Sequence, residues 1–418
     1  MDIEHIYAQY LSHPQICTDT RNIVPDSIFV CLKGERFDGN QFALTALDQG
    51  AAYVITENSA LADNPRCIVV ENSLETLQQL AAYHRQQLSI PVIGITGTNG
   101  KTTTKELVST VLAKKFRTAY TKGNLNNHIG VPLTLLSIKP SDEIAIVEMG
   151  ANHPGEIADL CAIARPNYGL ITNVGKAHIE GFGSEAEIVH TKKALYRSVI
   201  GDHGTLFVNI NNQKLRDGLD YDKVVYYAEG GEDNIVSMSP YLRIRVARHE
   251  VDTHLTGSYN IYNFLAAAAV GRFFGVSDKQ IAEALGQYDP SNHRSQVNKI
   301  GTNVIISDYY NANPTSMEAA VRNLAKLDHP HKLAILGDMR ELGPVSREEH
   351  LNIIQLCEEM HLKAIFVGSE FSAHHPEQCY PDAEALNEAL KAQPVSDSLI
   401  LVKGSNSMHL DKLTALLQ

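Results

Sequence analysis

Short apolar runs alternate with helix-patterned stretches along almost the whole chain. Residues 27–32 (SIFVCL), 51–57 (AAYVITE) and 67–72 (CIVVEN) come first, then 91–97 (PVIGITG), 143–150 (EIAIVEMG) and 168–175 (YGLITNVG). Residues 303–310 (NVIISDYY), 332–338 (KLAILGD), 364–369 (AIFVGS) and 399–405 (LILVKGS) complete the series. Runs of this length, separated by amphipathic helices, predict an α/β fold with mostly parallel strands joined by βαβ crossovers. Many end in Gly, Asn, Asp or Glu, which puts polar side chains at the carboxyl ends of strands, where open α/β sheets bind ligands.

A chain of 418 residues exceeds what one hydrophobic core serves, and three domains are expected. The helix pattern of residues 74–88 ends before Ser89-Ile90-Pro91, which sets a first boundary near 88. A helix-rich stretch, 261–275 followed by 277–288, ends at Asp289-Pro290-Ser291-Asn292, which sets a second near 290. The expected domains are therefore 1–88, 89–289 and 290–418, without internal repeats or low-complexity tracts.

A net charge of −12 opposes nucleic-acid binding, which needs an excess of Lys and Arg along a phosphate backbone. Cys17, Cys31, Cys67, Cys161, Cys357 and Cys379 form no C-x-x-C pairs, which fits reduced thiols rather than a disulfide frame or a zinc site. The N-terminus lacks the basic and apolar regions of a signal peptide, and no apolar run reaches the ~18 residues of a membrane span. A cytoplasmic protein is expected.

The strongest local motif follows the run at 91–97. Thr96-Gly97-Thr98-Asn99-Gly100-Lys101-Thr102-Thr103-Thr104 leads into a helical pattern over 105–116. Gly97 and Gly100 let backbone amides turn inward around phosphates, the helix aims its positive end at them, and Lys101 neutralises charge. Thr102 is placed to hold Mg²⁺. The strict G-x-x-x-x-G-K-[ST] pattern is not met, because Ile95 takes its first glycine position; the bland alternative is a glycine turn before a helix. Glu148, at the end of another run, is an oxygen ligand suited to Mg²⁺ beside phosphates or a cap for the next helix. His178, just beyond 168–175, is a possible second ligand or a satisfied polar residue.

The G-T-N-G-K-T-T variant is similar to that of the Mur ligase and folylpolyglutamate synthetase superfamily. Further segments resemble the Mur ligase family in its MurF type: E-M-G-A-x-x-x-G-E-I from Glu148, I-T-N-x-G-x-A-H-x-E-G-F-G through His178, and D-Y-Y-N-A-N-P from Asp308. Gly337-Asp338-Met339-Arg340-Glu341-Leu342-Gly343 and Lys403-Gly404-Ser405 extend the likeness. It runs through all three expected domains, from Thr18 to Ser405. It implies a small UDP-binding α/β domain, a central P-loop ATPase-like domain and a C-terminal Rossmann-like domain.

The resemblance also implies roles. Gly97, Thr98, Asn99, Gly100, Lys101, Thr102 and Thr103 would hold ATP. Glu148 and His178 would ligate a second Mg²⁺, beside the one at Thr102. A lysine carbamylated by CO₂ would support it; the matching residue is Lys192, in Thr191-Lys192-Lys193-Ala194 where the family reads A-K-G-E, so Lys193 stays an alternative. Asn124, Asn126 and Asn127 would line the muramoyl channel, or form only a structured connection. Thr18, Asp19, Thr20 and Arg21, with Asp38 and Gly39, would dock the uridine diphosphate, although such a turn also reads as a cap or surface ion pair. Asn260 and Asn263 would lie at the adenine edge, with Tyr259 replacing the family's histidine. Arg294, after His293, would reach ATP phosphates and Asp308 the ribose. Asp63-Asn64-Pro65-Arg66 spells the D-N-P-R of the MurE type but stands in the wrong domain.

The expected activity is ATP-dependent joining of D-alanyl-D-alanine to a UDP-N-acetylmuramoyl-tripeptide through an acyl phosphate, with Lys101, Lys192, His178 and Arg294 as catalytic residues, in a monomer. Alternatives are another amino-acid-adding Mur ligase such as the MurE type, a P-loop phosphotransferase, or a nucleotide-gated binding protein.

Overall fold

The computed structural model of the chain describes residues 2–34, 37–290, 294–374, 379–413 and 416. Near the N-terminus, a four-stranded parallel sheet runs in the order Ile16–Cys17, Ile28–Val30, Tyr53–Thr56, Cys67–Val69. Both faces are covered, as parallel pairing requires. Ile28, Val30 and Ile55 point toward Ile6, Leu77 and Leu80, and Phe29 and Val54 point toward Ala43 and Leu47. Helix Ser73–Gln87 starts where Asn72 Oδ1 accepts the Leu74 and Glu75 amides, each at 3.0 Å, which satisfies two orphan donors of its first turn.

That helix also joins the first unit to the next. It packs against helices Gly130–Leu136 and Glu156–Ala164, so the two units share one continuous core. Arg85 fixes the joint: its guanidinium donates to the carbonyls of Ala164 (2.9 Å), Leu88 (3.0 Å) and Arg165 (3.0 Å) and to Asn167 Oδ1 (2.9 Å).

The central sheet has six parallel strands in the order Val224–Tyr227, Thr205–Asn209, Tyr168–Ile171, Val92–Thr96, Ile144–Glu148, Thr118–Tyr120. After Val92–Thr96 the chain runs to the edge strand Thr118–Tyr120, returns to Ile144–Glu148 beside the first, then crosses to the other side. This reversal opens a crevice at the carboxyl ends of the middle strands. A three-stranded antiparallel meander, Ile235–Met238, Leu242–Val246 and His249–Asp252, follows. It lies outside the parallel pattern expected from sequence; its middle strand alternates buried and exposed residues, as a sheet with one covered face does.

The third sheet has the order Gln296–Ile300, Asn303–Asp308, Leu399–Lys403, Lys332–Gly337, Lys363–Val367, Cys379–Tyr380, with only its first pair antiparallel. Each apolar run named from sequence forms a strand. The phosphate-loop helix, expected over 105–116, instead spans Lys101–Leu112. Three parallel-sheet units thus make up the α/β fold.

Candidate active site

The Thr96–Thr104 turn lies at the floor of a cleft of about 1050 Å³ that is walled by the central and third units and reaches Gln78 of the first. Two glycines shape the turn. Gly97 has φ +149° and a Cβ there would fall 2.0 Å from Thr172 Oγ1; Gly100, at φ +77°, caps helix Lys101–Leu112. Only glycine adopts these conformations without strain. The loop is braced from the next strand end: Thr98 N donates to Asn173 O at 2.9 Å, Asn99 N to Asn173 Oδ1 at 2.9 Å, and Gly175 N to Thr98 Oγ1 at 3.0 Å. Lys101 Nζ folds back on the Gly97 and Thr98 carbonyls, at 2.9 and 3.0 Å. Burial pushes its pKa down to about 8, with the Arg294 charge adding and Glu148 opposing.

Glu148 is fully buried at the end of its strand. Its Oε1 accepts from Thr102 Oγ1 (3.1 Å) and Asn126 Nδ2 (2.8 Å), whereas the buried Oε2 has no hydrogen-bond partner among the described residues. His178 enters the same cleft from a left-handed residue, φ +51°. Its Nδ1 pairs with Glu341 of the third unit, and the imidazole holds that carboxyl below its usual pKa. Lys192 is 2% exposed, and its Nζ reaches the Ala151 carbonyl at 3.4 Å. Burial, with the Lys101 charge adding, holds its pKa well below the ordinary value. Lys193 instead reaches the Asp217 carbonyl at the surface.

The third unit closes the opposite wall. The Arg294 guanidinium stacks over the Tyr310 ring at 4.0 Å, and its buried Nε has no partner among the described residues. Asp308 is held at both oxygens, by Ser295 N (3.1 Å) and Lys403 Nζ (2.7 Å). Tyr259, from the central unit, shares a hydrogen bond of 2.9 Å with Ser295 Oγ. Asn260 and Asn263 lie side by side: Asn263 Nδ2 donates to Asn260 Oδ1 at 2.8 Å, and Asn263 Oδ1 accepts from Thr104 Oγ1 at 3.0 Å. Both line the cleft with Gly100, Thr103, Asn124, Asn126 and Asn127. Asn127 Oδ1 accepts the Ile129 and Gly130 amides, starting the next helix.

Thr18, Asp19, Thr20, Arg21, Asp38 and Gly39 are not lining residues of this cleft; they lie on the first unit. There Asp19 pairs with Arg21 at 2.7 Å, which with its hydrogen bonds lowers the Asp19 pKa to about 2. Asp38 Oδ1 accepts Asn40 N and Nδ2, while Asn40 Oδ1 accepts Thr56 Oγ1 and Glu57 N, so a polar surface forms at the carboxyl ends of this sheet too. Glu35, Arg36, Ser291, Asn292 and His293 lie outside the described residues. Arg66 of the D-N-P-R spelling donates to the Ala51, Ala52 and Leu47 carbonyls, a structural use. The pairing of Glu341 with His178 and of Asn313 with Asn99 was beyond sequence reasoning, because both join residues far apart in the chain; the strand-end motifs containing Glu341 and Asn313 were the available signal.

Family models match the chain as "Mur ligase family, catalytic domain" over residues 14–93, "Mur ligase middle domain" over 95–271 and "Mur ligase, glutamate ligase domain" over 293–406. A UDP-N-acetylmuramoyl-tripeptide--D-alanyl-D-alanine ligase of Bacillus subtilis (strain 168) is 33% identical across 97% of this chain and 93% of its own length. The crystal structure of MurF from Acinetobacter baumannii superposes with a TM-score of 0.85 at 31% identity, covering 96% of this chain and 92% of that one. MurF from Thermotoga maritima, solved in complex with ADP, gives 0.84 at 26% identity, covering 97% of each chain. With likeness of this extent in all three units, around a phosphate loop and a buried carboxylate, the chain belongs to the Mur ligase family, in its MurF type.

Proposed function

We infer that the protein is an ATP-dependent, ADP-forming ligase that joins D-alanyl-D-alanine to a UDP-N-acetylmuramoyl-tripeptide, giving the pentapeptide precursor of peptidoglycan. The observation that carries this reading is the cleft itself: a phosphate loop, a buried carboxylate and the facing wall of the third unit meet in one cavity. The reaction must bring a carboxylate anion up to a polyanionic triphosphate, a repulsive approach unless cations and oriented amides screen it. Lys101 and Arg294 supply cations at the floor and the far wall, and the amides of Gly100–Thr103, at the start of helix Lys101–Leu112, would face the phosphates. The tripeptide's terminal carboxylate attacks the γ-phosphate, forming an acyl phosphate and ADP. The dipeptide amine then attacks that carbonyl and phosphate leaves. Closure of the third unit keeps water from the acyl phosphate.

Magnesium fits the residues present. Glu148 keeps one buried oxygen without a partner among the described residues, and the Thr102 hydroxyl donates to the other oxygen of the same carboxylate. Among the described residues no three His, Cys, Asp or Glu side chains cluster to hold a metal alone, so a cation here would draw further oxygens from the nucleotide or a modified lysine. Thr102 would hold one ion, and Glu148, His178 and Lys192 the other; bound magnesium would neutralise charge on the transferring phosphoryl group. Lys192 suits carbamylation because its burial favours the neutral amine, the form that adds CO₂; Lys193 lacks that burial.

Asn124, Asn126 and Asn127 would line the muramoyl channel, Asn260, Asn263 and Asp308 the nucleoside, and Thr18–Arg21 with Asp38 and Gly39 the uridine diphosphate, in domains divided near 88 and 290. No helix among the described residues is long and apolar enough to cross a membrane; the proposed enzyme is a monomer working in the cytoplasm, where ATP and nucleotide-linked substrates are found. Mass spectrometry of the product made from ATP, UDP-muramoyl-tripeptide and either D-alanyl-D-alanine or single amino acids tests the reading. A gain of one amino acid, or ATP hydrolysis indifferent to both organic substrates, overturns it.

A further inference from the structure

Asn313 and Asn99 meet across the boundary between the central and third units. Asn313 Nδ2 donates to Asn99 Oδ1 at 2.7 Å, and Asn99 Nδ2 returns a bond to Asn313 Oδ1 at 3.3 Å. Both ends are held independently. The Asn99 backbone is fixed by Asn173, whose Oδ1 accepts the Asn99 amide and whose Nδ2 donates to the Asn99 carbonyl at 3.0 Å, and Thr172 Oγ1 donates to the same carbonyl at 2.6 Å. The Asn99 side chain is therefore free for the partner unit. Asn313 is the N-cap of helix Pro314–Lys326: its Oδ1 accepts Ser316 N at 2.9 Å, and its own amide donates to Ser316 Oγ at 3.1 Å. It is buried, at 6% exposure. The neighbouring Thr315 confirms the close approach, with its Oγ1 lying 3.0 Å from where a Cβ on Gly175 would stand.

We propose that Asn313 is a positioning residue, whose carboxamide couples docking of the third unit to the conformation of the phosphate loop. A reciprocal amide pair is directional: it forms only when the helix N-terminus and the loop are both in register, so each fixes the other. Seating the third unit thus sets the loop for phosphoryl transfer, and a mis-set loop weakens seating. The proposal rests on the ligase reading for its kinetic consequence but not for the coupling itself.

Asn313→Ser keeps a capping oxygen for Ser316 but cannot span to Asn99; Asn99→Ala removes the other partner and leaves the helix cap untouched. In the full-length protein each single variant is expected to lower kcat about tenfold, and the double variant about tenfold rather than a hundredfold, as for two groups acting through one contact. KM for ATP stays within about twofold, because the loop amides and Lys101 remain. Amide hydrogen exchange over residues 97–104, measured without substrates, rises in Asn313→Ser although the substitution is in another unit. Unchanged loop exchange, an unchanged kcat in Asn313→Ser, or effects that multiply in the double variant overturns the proposal. If the unmodified protein formed no amide bond the ligase reading would fall, and the exchange measurement would still decide the coupling.

Discussion

At the scale of single residues, the site turns on two buried groups that a protein interior tolerates only for a reason. Glu148 leaves one oxygen unmatched in the core, at a cost of roughly 1–3 kcal/mol for an unsatisfied acceptor, which a bound cation would offset. Glu148→Gln is therefore expected to lower ligation at least about 100-fold while raising the melting temperature of the unliganded protein, since the amide avoids a buried charge; lower stability in the unliganded variant would count against a cation site. Lys192→Ala is expected to lose activity to a similar extent and to regain part of it with added acetate, which returns a carboxylate to the vacated space. Lys193→Ala is expected to stay within about twofold; the reverse order of the two effects, measured by phosphate release, would shift the carbamate to Lys193. The turn that carries Gly97, Lys101 and Thr102 was legible in sequence because a strand, two glycines and a helix start follow one another within one short segment. The partnership of His178 with Glu341 was not, since no local pattern reports what a strand end faces across a domain boundary.

At the scale of elements, the strands were readable because parallel strands buried on both faces become continuous apolar runs. The antiparallel meander and the strands Thr205–Asn209 and Val224–Tyr227 were not among those expected, and helix Lys101–Leu112 starts four residues before its apolar pattern does, because Gly100 in the left-handed region caps it. Gly100→Ala would add a Cβ 2.6 Å from Asn263 Oδ1 at φ +77°; it is expected to cost about 1–3 kcal/mol and to abolish ATP binding by calorimetry. A second element is set by His350, fully buried on helix Ser346–Glu359. Its Nε2 accepts Met339 N at 3.0 Å and its Nδ1 donates to Ser346 O at 2.7 Å, which requires the neutral ring and shapes the loop that carries Glu341. Burial lowers its pKa, against the raising pull of the Ser346 carbonyl, Asp338 and Glu370 and with the lowering push of His374. The unfolded chain then takes up the proton first, so this contribution is whole above about pH 6.5 and fades as pH falls through the folded value. Melting temperature should drop below about pH 6.5 more steeply in the unmodified chain than in His350→Gln; parallel curves would remove His350 from the acid response.

At the scale of the whole molecule, three units divide the work, and the joints between them differ in kind. The third unit meets the centre through polar contacts, Asn99 with Asn313, His178 with Glu341, and Lys176 with Glu349 at 2.8 Å, of the sort that form and break as substrates enter and leave. The first unit is joined through a shared apolar core and through Arg85, whose buried guanidinium satisfies three carbonyls and one side-chain amide. Replacing Arg85 with Met keeps the apolar stem but strands those acceptors, and is expected to destabilise the protein by about 2–4 kcal/mol. Because the phosphate loop lies on the far side of that joint, the loss should fall on one substrate: KM for the UDP-muramoyl-tripeptide rises several-fold, while ATP affinity measured by calorimetry holds within about twofold. Equal weakening of both ligands would mean that the first unit supports the ATP site directly, and that the joint at Arg85 does not separate the two binding functions.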